Sequence, residues 1–165
     1  MEAFDEFKRA MSSTFSETEK KTLIKNYVKR RLSAGGFPII EGRRVTFIYV
    51  GEIKDKVSLI GDMNDWNQEA DYLQKIEGTN FHYKSFSFPL DARIEYAYMT
   101  DGKWTADPLN RKQAFEGLGP ISEFHMPNYV HSSTIIYNDT IPHGQVRAQP
   151  QPRWVQGGIL CRWRP

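Results

Sequence analysis

The chain has 165 residues, of which 39% are apolar and 25% charged, and its formal charge is +2. That length allows one domain with a sizeable core plus extra segments, and so small a charge gives no argument for nucleic acid or an anionic membrane as partner. A single cysteine, Cys161, excludes an internal disulfide framework and a cysteine-rich zinc site.

The N-terminal stretch MEAFDEFKRAM alternates acidic and basic residues and has no apolar h-region, so it does not read as a signal peptide. No stretch approaches the length of a membrane span, and cytoplasmic residence is the expectation. Asn138-Asp139-Thr140 matches the N-glycosylation pattern, and with no secretory route expected the match reads as chance.

Residues 1–35 read as a helical segment. Phe4, Phe7 and Met11 recur at three and four residues, which predicts a short amphipathic helix. Ser16 with Glu19 three residues on forms a capping-box pattern, and Leu23, Ile24, Tyr27, Val28 and Leu32 then make one apolar stripe. Ala34-Gly35-Gly36 stops this second helix. The Lys and Arg residues between Lys20 and Arg31 read as the solvated face opposite that stripe, in preference to a nucleic-acid or membrane face.

From Arg44 the period changes to two. RVTFIYV places Val45, Phe47 and Tyr49 on one face and Thr46, Ile48 and Val50 on the other. KVSLIG, FHYKSFSF, RIEYAYM and ISEFHM follow, separated by turn chemistry at Gly61-Asp62, Glu77–Asn80, Pro89–Asp91 and Asp101-Gly102. Short strands at this spacing without intervening helices predict a mainly β fold, an antiparallel sandwich spanning residues 36–128. Residues 129–165 lose any usable period and are expected to form a linker and a poorly ordered tail, in which Trp154 and Trp163 mark no site.

Catalytic motifs are missing from this pattern. There is no G-x-S-x-G elbow and no phosphate-cradling glycine motif, and the four histidines show no metal-ligand spacing. DMND resembles the start of a calcium loop, but its fifth position is Trp66 and no glycine follows. No two carboxylates are paired at a defined separation by one sequence, so a glycosidase dyad is not claimed. The expectation is a chain with no catalytic residues, no metal and no cofactor.

Two tryptophans stand out. Trp66 lies in the polar turn GDMNDWN, and Trp104 follows the Asp101-Gly102 turn. A Trp at a strand–turn junction commonly plugs the end of a sandwich. The polar surroundings of both, including Asn64, Asp65, Asn67 and Gln68 at the first and Asp101, Lys103 and Asn110 at the second, also suit a sugar. Pyranose rings stack flat C–H faces on indoles while amides, carboxylates and ammonium groups bond the hydroxyls. Both readings stay open on the residues alone.

The runs VSLIGDMNDWN, RIEYAYMTDGKWTADPLN and GLGPISEFHMP, in that order, resemble a family 48 carbohydrate-binding module, the glycogen-binding fold of an AMP-activated kinase subunit and of branching enzymes. The resemblance covers about Arg43 to Pro127 and implies an immunoglobulin-like, early-set sandwich. It also implies α-glucan stacking on Trp66 and Trp104, with Leu118 inserting beside the sugar and Asn64, Lys103 and Ser122 near it. At two polar contact positions the sequence departs from the glycogen binders: a lysine is replaced by Ala97, and an asparagine falls on Ser122. Each loss of a hydrogen-bond donor would weaken sugar binding several-fold, at about 1 kcal/mol per bond.

GGFPIIEGRRVTFIYVGE, DPLN, FHMPNYV and IPHG, over more of the chain, resemble the N-terminal region of bacterial esterases of the enterochelin-esterase type, which carry such a sandwich ahead of an α/β-hydrolase domain. The resemblance implies a non-catalytic accessory module whose hydrolase domain is missing. The Gln/Pro/Trp/Arg bias from about Val146 is then expected to reflect a frameshifted or prematurely ended reading frame. The partners implied are an α-glucan held on the two tryptophans or, alternatively, the hydrolase domain itself, with this module as an interaction or lid domain that binds no sugar.

Overall fold

The computed structural model describes residues 3–116 and 119–132, with no side chain described at 115 and 116. Residues 3–130 lie within one compact unit; the few described residues after it belong to a second. The sandwich is present as the sequence predicts, with a helical segment ahead of it. Among the described residues no helix is long and apolar enough to cross a membrane.

Helix α1 spans Phe4–Ser13, and α2 spans Glu17–Ala34. The Ser16 hydroxyl accepts from the Glu19 N–H at 3.4 Å, which caps α2, and Gly35 and Gly36 end the helix with φ of +154° and +80°. At the start of α1, the Phe4 N–H donates to Glu41 at 3.2 Å, while Arg44 bridges Glu41 at 2.7 Å and Asp5 at 2.9 Å. These bonds fix the helix entry to the first hairpin of the sandwich.

The strands are β1 (Ile39–Glu41), β2 (Arg44–Val50), β3 (Val57–Gly61), β4 (Gln74–Lys75), β5 (Phe81–Ser87), β6 (Arg93–Thr100), β7 (Lys103–Thr105), β8 (Gln113–Glu116) and β9 (Gly119–His125). One antiparallel sheet has the order β1-β2-β5-β4, and the other has β3-β6-β9-β8, with β7 also paired to β6. Val45 and Phe47 of β2, Val57 and Leu59 of β3, Tyr96 and Tyr98 of β6 and Phe124 of β9 meet between the sheets in the main core.

The alternation predicted for β2 does not separate a wet face from a dry one. Phe47 and Ile48 are both fully buried, as is Thr46, because α1 and α2 cover the other side of the first sheet. Phe4, Phe7 and Met11 join Ile24, Tyr27, Ile48 and Phe81 in a second core. Phe7 stacks on Tyr27 with ring centroids 4.0 Å apart and packs on Phe81 at 5.1 Å. Burial of each such side chain is worth roughly 1.5–3 kcal/mol, enough to hold a ten-residue helix that would not persist alone in water.

Candidate functional site: a stacked indole pair on the second sheet

The segment after β3 is built to turn sharply. Asp62–Asn64 form one turn of 3₁₀ helix, after which Asp65 and Trp66 both take left-handed backbone conformations, φ +52° and +60°. A left-handed Trp is uncommon and persists only where its surroundings fix it. Here the fixing group is Asn64. Its Oδ1 accepts from the Gly61 N–H at 3.1 Å, and its Nδ2 donates to the Leu59 carbonyl at 2.9 Å and to Asp71 at 2.8 Å. Asp71 is itself paired with Lys84 at 2.8 Å. The Trp66 N–H closes the turn on the Gly61 carbonyl at 3.1 Å.

Trp104 arrives from the opposite direction, on β7, where it pairs with Met99. Its Nε1–H donates to the Pro120 carbonyl at 3.1 Å, and a Cβ placed on Gly119 would lie 3.8 Å from its Cδ1. The pyrrole edge therefore sits against the start of β9. The turn after β3 and the β7 hairpin thus deliver Trp66 and Trp104 to one place, with centroids 5.5 Å apart and planes 6° from parallel. At that spacing the rings overlap as an offset stack; two indoles side by side in one plane would stand farther apart. Both are half-buried, and each covers part of the other.

Several of the polar side chains expected around the indoles are engaged within the domain. Asn64 uses its amide inside the turn. Ser122 is fully buried on β9, its hydroxyl accepting from the Asp107 N–H at 2.8 Å. Ala97, opposite Ile60 on the outer side of β6, is also fully buried. Asn110 is buried and donates to the Tyr96 hydroxyl and the Glu123 carbonyl at 3.1 and 2.9 Å. Asp101 turns to the amides of Lys54 and Asp55. Lys103 is exposed, but as the strand neighbour of Trp104 it projects to the opposite face. Leu118 lies outside the described residues.

Sequence reasoning missed a buried polar cluster next to this site. The Tyr96 hydroxyl donates to Asp107 at 2.7 Å, and the Leu109 N–H donates to the same carboxylate at 2.8 Å. Burial outweighs these bonds and raises the Asp107 carboxyl to about 6. The signal for it was Asp107-Pro108, a turn-forming pair whose Asp bonds the backbone two residues on. Among the described residues no group of His, Cys, Asp and Glu side chains is placed to hold a metal ion.

No family model matches the chain, and no curated protein matches it. Solved structures do resemble it. The ferric enterobactin esterase of Salmonella typhimurium aligns with 65% of this chain and 37% of its own, at 17% identity and a TM-score of 0.53. The enterobactin esterase of Shigella flexneri, solved in the presence of 2,3-di-hydroxy-N-benzoyl-glycine, aligns with 53% of this chain and 31% of its own, at 18% identity and a TM-score of 0.46. An enterochelin esterase structure from the same organism covers 52% and 30%, at 19% identity and 0.46. The likeness to the Salmonella protein is one of fold. The chain spans about a third of the length of these structures.

Proposed function

We propose that this chain is an accessory β-sandwich of an esterase-type α/β-hydrolase, without catalytic residues of its own, and that the step formed by Trp66 and Trp104 packs on the hydrolase. The observation that carries this reading is the shared fold: 65% of the chain aligns with little more than a third of a ferric enterobactin esterase. The order of motifs described above supports it, and so does the state of the indoles. Trp104 has already committed its N–H to Pro120, and Asn64, Asn110 and Ser122 are bonded within the domain. A half-buried apolar step with few free donors suits a protein surface better than a sugar, whose hydroxyls need partners when they leave water.

A second reading keeps an α-glucan on the same residues. It is favoured by one observation, that both indoles retain partial exposure in nearly parallel planes.

One titration separates the two. The DNA following the codon for Pro165 is sequenced, in every frame, for a hydrolase segment, which is then produced separately. It is added to the full chain carrying Trp154→Phe and Trp163→Phe, so that Trp66 and Trp104 are the only tryptophans of this chain, and the emission of the hydrolase alone is subtracted. Docking is expected to shift their emission to the blue, with no response to maltoheptaose. Absence of a hydrolase-coding sequence, or a response to maltoheptaose but not to the hydrolase, would overturn the leading reading. An assay on a model acyl ester is expected to give no turnover by this chain alone.

A further inference from the structure

A groove of about 890 Å³ runs along α2. Its floor is apolar: Ile24, Val28 and Leu32 from the helix, Val50 from β2, and Leu109 from the segment after β7. The Leu109 backbone is held by the buried Asp107 carboxylate, so this wall is fixed. The rim is cationic: Lys21, Lys25 and Lys29 along the helix, and Arg111 beyond Leu109. All four are exposed, and none has an ion pair among the described residues. Lys20, just outside this row, is by contrast occupied with the Glu77 carbonyl at 3.2 Å.

We infer that this groove is a docking site for an acidic amphipathic helix of a partner protein. The argument is charge complementarity with a matching repeat. Lysines four residues apart lie in a single row, about 6 Å from one to the next and about 12 Å end to end. A partner helix laid along α2 presents its own residues at the same pitch, so glutamates at four-residue spacing face the lysines in register. Its apolar stripe meets the floor in the helix-in-groove mode. A fatty carboxylate would fill the floor but bring one charge to four cations. A nucleic-acid backbone would engage the cations and leave the apolar floor uncovered. This inference rests on different residues from the proposed contact of the indoles and stands without it.

The test uses the full chain and a fluorescein-labelled 14-residue peptide with leucines along one helical stripe and glutamates flanking it. Fluorescence anisotropy is expected to show saturable binding that weakens as sodium chloride is raised. The same peptide with lysine in place of glutamate is expected not to bind. Lys25→Glu with Lys29→Glu should weaken the glutamate peptide at least tenfold, with circular dichroism confirming unchanged helix content. Should that double variant fail to fold, Arg111→Glu on the opposite wall carries the same test and is expected to weaken binding severalfold. Equal binding by the charge-reversed chain, equal binding of the lysine peptide, or no binding of the glutamate peptide overturns the proposal. Binding of sodium dodecanoate with none of the peptide also overturns it, and assigns the groove to a small amphiphile.

Discussion

The indole of Trp66 lies over that of Trp104 with centroids 5.5 Å apart and planes inclined by 6°. Neither ring reaches this position by its own strand alone. Trp66 is raised by a left-handed turn, and Trp104 is anchored through its Nε1–H on the Pro120 carbonyl. Trp104→Ala removes the stack and the anchor together and is expected to cost about 2 kcal/mol in urea unfolding. Trp66→Ala removes only the stack and should cost less. A double-mutant cycle is expected to return a coupling of about 1 kcal/mol. A coupling near zero would mean that the two rings do not meet in solution.

Asn64 makes its contribution inside the turn. Replacing it by Ala removes the acceptor of the Gly61 N–H and the donor to both the Leu59 carbonyl and Asp71. At about 1 kcal/mol for each bond lost, the variant should be destabilised by roughly 2–3 kcal/mol. Trp66 emission should move to the red in the Trp154→Phe, Trp163→Phe background as the turn loosens. An unchanged denaturation midpoint would refute this account of the turn.

Gly61 shows how little room the sheet leaves beneath that turn. A Cβ there would stand 2.4 Å from the Glu95 carbonyl oxygen and 2.9 Å from the Tyr96 Cα, both backbone atoms that cannot swing aside. Its extended backbone suits any residue, so the constraint is one of space alone. Gly61→Ala is expected to destabilise the domain by about 3 kcal/mol, at the upper end for overpacking. Thermal unfolding within 1 °C of the parent, which corresponds to ~0.3 kcal/mol in a domain of this size, would contradict it.

Two buried groups give the stability a dependence on pH, with opposite signs. The Asp107 carboxyl is raised by burial from 3.8 to about 6, so the folded chain holds a proton that the unfolded chain has released. Stability therefore falls as pH rises between these values, by ~3 kcal/mol in all. His82 is lowered below its usual 6.5, chiefly by burial and secondarily by Lys75. The unfolded chain then binds the proton first, and stability is lost as pH falls below 6.5. Urea titrations from pH 3.5 to 7.5 should lose the first slope in Asp107→Asn and the second in His82→Gln. Persistence of either slope in its variant would assign it to another group.

Much of the fold was legible in the chain. The Ser16 cap, the glycines that end α2 and the buried Phe4, Phe7 and Met11 follow from short-range chemistry, and so do β2, β3, β5, β6 and β9. The strands β1, β4, β7 and β8 were not, because two to four residues are too few to show a period. Trp66 and Trp104 could be singled out from their turns, but their offset overlap depends on how β7 is placed against β9, a tertiary matter. The burial of Ser122 and the engagement of Asn64 likewise depend on neighbours remote in sequence or on a turn geometry that no pattern of types specifies. The groove along α2 could not be read at all, since its second wall, Leu109 and Arg111, lies some eighty residues beyond the helix.

The helix layer leaves β2 in an unusual position. Phe47 points into the core between the sheets, Ile48 into the core beneath the helices, and the Ile48 carbonyl also accepts the Tyr98 hydroxyl at 3.1 Å. To free the amides of this strand, both cores have to open, whereas β8 or β7 can fray with little loss. Amide hydrogen exchange should accordingly be slowest at Phe47 and Ile48, approaching the rate set by global unfolding. The strand acts as the hinge pin of two cores, and their melting should be one event.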